Sequence, residues 1–115
     1  MAHIQNHIAH ILGVAPLFLY VGLASDTVPE HVFNALGVLG VVILAYHGYR
    51  AYTKIKENKS AWVNWIHIFL IAPLLILLAV LKKDAHRRYF EMMLLLGFAA
   101  LGYHTLYLIR DSIFT

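Results

Sequence analysis

The chain has 115 residues, 61% of them hydrophobic and 13% charged, with a mean hydropathy of +0.70. A soluble domain of this length needs far more charge to cover its surface, and no room remains for an extra-membrane enzyme domain. The absence of cysteine excludes disulfides, iron–sulfur clusters and thiolate chemistry. The net charge of +3 falls in short loops, where it addresses lipid headgroups rather than nucleic acid.

Four apolar stretches follow in order, roughly Ile8–Ala24, Val32–Tyr52, Ala61–Leu81 and Tyr89–Ile109. Each approaches the roughly 20 residues that cross a hydrocarbon core of about 30 Å. Met1–His7 adds a polar turn with no positive n-region and no small-residue cleavage site, so it does not read as a signal peptide. Between the first two spans, Thr27 and Glu30 form a predicted capping box, with Pro29 in the first turn. Lys54–Lys59 reads as a charged turn with Ser60 as N-cap, and Lys82–Arg88 as a third turn with Asp84 as N-cap. Trp62 and Trp65 suit a membrane–water interface.

Short turns predict an all-α, up-down-up-down bundle in one transmembrane domain over residues 1–115. The 54–59 turn and both ends of the chain then share one side, A, and the other two turns lie on side B. Arg50, Lys54, Lys56, Lys59 and Arg110 on side A balance Lys82, Lys83, Arg87 and Arg88 on side B, so the positive-inside rule sets no orientation.

The sequence matches itself at an offset of 57 residues: His10, Pro16, Gly40, Tyr46 and His47 fall on His67, Pro73, Gly97, Tyr103 and His104. At these residue frequencies chance supplies about 0.3 His–His and about 0.04 Pro–Pro coincidences, so a tandem duplication is predicted, residues 1–57 and 58–115. A two-crossing unit returns to its starting side, which implies a pseudo-twofold axis along the membrane normal.

The histidines are the compositional outlier, eight in all. His10, His47, His67 and His104 obey the repeat and fall about two turns inside their spans from side A, in one layer. An imidazole in hydrocarbon needs a partner, and four in one layer point to ligation. Di-iron chemistry is excluded because its inward carboxylates are missing; Glu91 lies at the opposite end of the fourth span. A four-His zinc or copper site is chemically acceptable. A tetrapyrrole, chlorophyll or b-type haem, suits the apolar walls better. Gly40 and Gly97, one same-face heptad before His47 and His104, leave space for a planar ring or for a neighbouring helix. Tyr46 and Tyr103 offer phenols beside those histidines, or serve as amphipathic anchors. Pro16 and Pro73 free the carbonyls of Leu12 and Phe69 and kink their spans near the histidine layer. His3 and His7 share a face with His10 and are candidate metal ligands or interfacial polar residues. His31 and His86 read as solvated.

The segments HILGVAPLFLYVG, ALGVLGVVILAYHGYRAY, WVNWIHIFLIAPLL and GFAALGYH resemble a group of small four-helix membrane proteins encoded by large DNA viruses of algae and by marine metagenomes. The resemblance covers nearly the whole chain and carries no established activity. It implies a viral protein in a virion or host membrane, where infection of a phototroph favours chlorophyll. The layout also resembles four-helix b-type cytochromes, except that histidine pairs at both membrane faces are missing.

The expectation is therefore an integral, multi-pass membrane protein that holds a tetrapyrrole on its repeated histidines, for electron transfer or light-energy handling. The alternatives are a structural protein with histidines as interhelical glue, and transport of a metal ion or protons. No nucleophile–base pair, phosphate loop or carboxylate pair points to an enzyme. The bilayer is the expected partner, alongside a homo-oligomer or another membrane protein, with no nucleic acid.

Overall fold

A computed structural model describes residues 2–114, with side chains from Ile4 onward. Its elements are α1 (Ala2–Ala9), a π turn (His10–Val14), α2 (Ala15–Ala24), a 3-10 turn (Ser25–Thr27), α3 (Glu30–Lys56), α4 (Trp62–Ile66), a second π turn (His67–Ile71), α5 (Ala72–Leu81), a 3-10 turn (Lys82–Asp84) and α6 (Arg87–Ile113). No strand occurs among the described residues. Four helical stretches are long and apolar enough to cross a membrane: Ile4–Thr27, Glu30–Lys56, Trp62–Asp84 and Arg87–Ile113. This is the layout of a multi-pass integral membrane protein. Each stretch is longer than the apolar segment seen in the sequence, because flanking polar and charged residues stay helical.

The element boundaries recur 57 residues apart, Glu30 with Arg87 and Lys56 with Ile113, and the π and 3-10 turns likewise. The prolines explain the π turns. A proline ring clashes with the carbonyl four residues back, and one extra residue per turn relieves the clash. Pro16 and Pro73 open α2 and α5 directly after the widened turns, where the Ala15 and Ala72 amides donate to the His10 and His67 carbonyls. The predicted kink is thus realised as a π turn that begins at each histidine.

The helix starts differ from the sequence reading. Pro29, not Thr27, is the N-cap of α3, and its carbonyl accepts from the Val32 and Phe33 amides. Ala61 rather than Ser60 precedes α4. His86 rather than Asp84 caps α6, its Nδ1 accepting from the Arg88 amide at 3.1 Å. Thr27 and Asp84 belong to 3-10 turns instead. At the end of α3, Asn58 takes a left-handed φ of 57°. The Asn58 and Lys59 amides donate to the Ile55 and Lys54 carbonyls, the Schellman arrangement.

The chain divides into two compact units, residues 1–25 with 86–115 and residues 26–85. In unit 1, α2 packs antiparallel to α6, and Ala15, Phe18, Val21, Phe90 and Met93 on these helices are buried. In unit 2, α5 packs antiparallel to α3, and Ala72, Leu75, Leu78, Phe33 and Leu36 on these helices are buried. Each unit therefore joins one helix from each half of the sequence. Lipid tails are as apolar as these side chains, so close packing rather than water exclusion holds such pairs together.

Glycines set the approach. A Cβ at Gly22 would meet the Leu94 backbone nitrogen at 2.7 Å, and one at Gly97 would meet Leu19 at 2.9 Å. In unit 2, a Cβ at Gly40 would lie 2.9 Å from Ile76 Cγ1 and 3.1 Å from the Ala72 carbonyl. The space at Gly40 and Gly97 is thus filled by the packed helix of the same unit, not left open for a planar ring. Large apolar side chains such as Leu12, Phe69, Val80 and Leu95 are about 70% exposed, as a lipid-facing surface requires.

Candidate functional site

Each unit holds two stacked imidazoles on facing helices. In unit 1 the His10 and His104 ring centroids lie 4.1 Å apart with planes 24° from parallel. In unit 2 the His47 and His67 centroids lie 3.9 Å apart, 11° from parallel. The two partners in each stack are a π-turn histidine and a histidine about two thirds of the way along the facing helix.

The π-turn histidines are held by their own helix. His10 Nδ1 donates to the Asn6 carbonyl and His67 Nδ1 to the Val63 carbonyl, both at 2.8 Å. A carbonyl only accepts, so Nδ1 carries a proton in both rings, and in the neutral tautomer the lone pair lies on Nε2.

Their stacking partners are held across the helix pair. In unit 1, His7 Nδ1 lies 2.9 Å from His104 Nδ1, and His7 Nε2 donates to Asp111 Oδ2 at 3.1 Å. His7 is 7% exposed and His104 9%. In unit 2, Lys54 Nζ donates to Asn64 Oδ1 at 2.7 Å, and Asn64 Nδ2 donates to His47 Nδ1 at 2.8 Å. Asn64 is 3% exposed. Among the described residues no buried side-chain nitrogen or oxygen lacks a hydrogen-bond partner.

Helical spacing explains these sets. His7 and His10, like Asn64 and His67, are three residues apart and share a face. His104 and Asp111, like His47 and Lys54, are seven apart and stack two turns along one face. Tyr107 lies between them in α6, stacked on His7 at 6.3 Å. Tyr46 and Tyr103 meet the next residue, His47 and His104, edge-on at 5.1 Å. Tyr46 is 58% exposed, whereas Tyr103 is half-buried against Tyr107.

The four repeated histidines are thus drawn into two pairs, His10 with His104 and His47 with His67. His7 is no isolated interfacial residue but the centre of the unit 1 chain. Asn64, Lys54 and Asp111 complete the two networks, and the sequence reading gave none of the three a place in the site. His31 and His86 are exposed, as expected. The side chain of His3, proposed with His7 as a metal ligand, lies outside the described residues. Among the described residues no cluster of three or more histidine, aspartate or glutamate side chains is arranged to hold a metal ion.

Fold and site together define a class: a helical, multi-pass membrane protein with a stacked histidine pair, tied into a hydrogen-bonded polar network, in each of two units. No protein family, no curated protein and no solved structure matches the chain.

Proposed function

We propose that the protein is a tandem duplicate of a two-helix unit that binds a tetrapyrrole, chlorophyll or b-type haem, through Nε2 of His10 and His67. Its role is electron transfer or light-energy handling in the bilayer. The observation that carries this reading is the Nδ1–H bond of both π-turn histidines to a backbone carbonyl at 2.8 Å. Ligand histidines are oriented in this way, with the second nitrogen anchored and made a better donor of its Nε2 lone pair. Gly40 and Gly97 drop out of the cofactor set because packing fills their space. Tyr46 and Tyr103 stay in it, as phenols able to bond a ring substituent. A bound haem would supply one-electron chemistry, and a bound chlorophyll would supply excited-state energy.

The test is an absorption spectrum of the protein purified in mild detergent, before and after addition of haem or chlorophyll a. The expected result is a Soret band that His10→Leu and His67→Leu diminish and His31→Leu leaves unchanged. A protein that stays colourless with either pigment overturns the reading.

One set of contacts favours a second reading, an interhelical polar clamp. His7–His104 in unit 1 and Asn64–His47 in unit 2 each tie facing helices together. On that reading His47→Leu and His104→Leu lower thermal stability while no chromophore is lost.

A further inference from the structure

We propose that the two units present opposite tautomers at His47 and His104, and that unit 2 is thereby built for a metal-centred ligand carrying a hydrogen-bond acceptor beside its metal. The ligand class rests on the tetrapyrrole reading; the tautomers do not.

In unit 2 both ends of the chain are fixed by chemistry. The Lys54 ammonium has donors only, so the Asn64 atom 2.7 Å from it is the carbonyl oxygen. The Asn64 amide nitrogen therefore faces His47 Nδ1 and donates to it at 2.8 Å. His47 Nδ1 must accept, and the single proton of the neutral ring sits on Nε2. Lys54 and Asn64 act as positioning residues that make His47 a donor at Nε2.

The residues 57 positions away in unit 1 reverse this polarity. Asp111 stands at the register of Lys54, and His7 at that of Asn64. A carboxylate only accepts, so His7 spends its Nε2–H on Asp111 Oδ2 at 3.1 Å. In a neutral His7 ring the lone pair then lies at Nδ1, and His104 Nδ1, 2.9 Å away, donates to it. The single proton of a neutral His104 ring then sits on Nδ1 and its lone pair on Nε2. An ammonium at the end of the chain pushes the protons inward; a carboxylate pulls them outward.

The stacked pairs differ accordingly. His10 and His104 carry two Nε2 lone pairs, whereas His67 carries a lone pair and His47 an N–H. A metal on His67 then has a donor on the adjacent ring, which suits a macrocycle with a carbonyl or carboxylate substituent. Unit 1 offers a second basic nitrogen in that place.

Two-bond 1H–15N correlation on cofactor-free, 15N-histidine-labelled protein in nanodiscs reads each tautomer, with assignment by loss of single signals in His→Gln variants. The expected pattern is Nε2–H at His47 and Nδ1–H at His10, His67 and His104. Asn64→Asp puts a carboxylate between Lys54 and His47, and switches His47 to Nδ1–H. The double variant His7→Asn, Asp111→Lys switches His104 to Nε2–H. Finding the same tautomer at His47 and His104 in the unaltered protein overturns the proposal, whether or not the variants fold. Titration with zinc protoporphyrin then tests the donor role. A downfield shift of the His47 Nε2–H, with several-fold weaker binding in Asn64→Asp, supports it; an unmoved resonance overturns it. A protein with the expected tautomers that binds no porphyrin refutes the cofactor reading and the ligand class, and leaves the opposed tautomers standing.

Discussion

An imidazole placed among lipid chains must satisfy two ring nitrogens, and His7 and Asn64 engage Nδ1 of His104 and of His47. Replacing His7 by alanine removes both the bond to His104 and the bond to Asp111. Interhelical hydrogen bonds in membranes average about 0.6 kcal/mol and reach about 1.7 kcal/mol. His7→Ala is therefore expected to lower stability by about 1–2 kcal/mol, and Asn64→Ala by at least as much, since the Lys54 ammonium also loses its acceptor. His31→Ala, at an exposed position, is expected to stay within about 0.5 kcal/mol. Reversible unfolding in mixed micelles checks all three. A loss for His7→Ala no larger than for His31→Ala refutes any contribution of the chain to stability. The four stacked histidines were legible in the sequence because rare residues repeat at one offset. Their partners were not, because His7 aligns with Asn64 and Asp111 with Lys54. Identity is lost at both places while a polar side chain is kept at the same register.

At the scale of the helix, packing tolerance is set by what lies opposite each glycine. Unit 1 brings Gly22 onto Leu94, while in unit 2 a Cβ at Gly37 would lie 2.8 Å from Ala79 Cβ, so the small residue changes helix between equivalent crossings. A Cβ at Gly22 meets backbone atoms of Leu94, which cannot rotate away, so Gly22→Ala must push the helices apart. Overpacking of this kind costs about 1–3 kcal/mol. Gly48, in α3, has nothing within 4 Å of the same position. Gly48→Ala is expected to stabilise by about 0.5–1 kcal/mol through helix propensity alone. Thermal unfolding of the two variants in one detergent gives the comparison, and shifts of the same sign refute it. Helix number and type were legible from apolar length, and the proline positions located the irregular turns. The helix starts were read wrongly because Thr, Ser and Asp side chains were assumed to cap them. Pro29 and His86 instead begin their helices from extended backbone, at ψ 150° and 144°.

For the molecule as a whole, spans that are apolar on every side reveal their number but not their partners. Apolar length and short turns predict four crossings, yet nothing in such segments says that the first pairs with the fourth and the second with the third. That pairing depends on where glycine and alanine allow close approach, a property of two surfaces at once. The crossing pattern can be tested separately, because the chain has no cysteine and single-cysteine variants are silent elsewhere. Thr27 and Lys83 are exposed in turns that an alternating path places on one side of the membrane, and Asn58 is exposed in the turn it places on the other. In sealed vesicles, Thr27→Cys and Lys83→Cys are expected to react with a membrane-impermeant maleimide from the same side, and Asn58→Cys only from the opposite side. Near-equal basic charge on the two sides leaves the absolute orientation to the labelling itself. Labelling of Asn58→Cys together with Thr27→Cys from one side rules out a crossing by α3. In that case the Lys54–Asn64–His47 network, at the α3 end beside Asn58, would not lie across the membrane from Thr27.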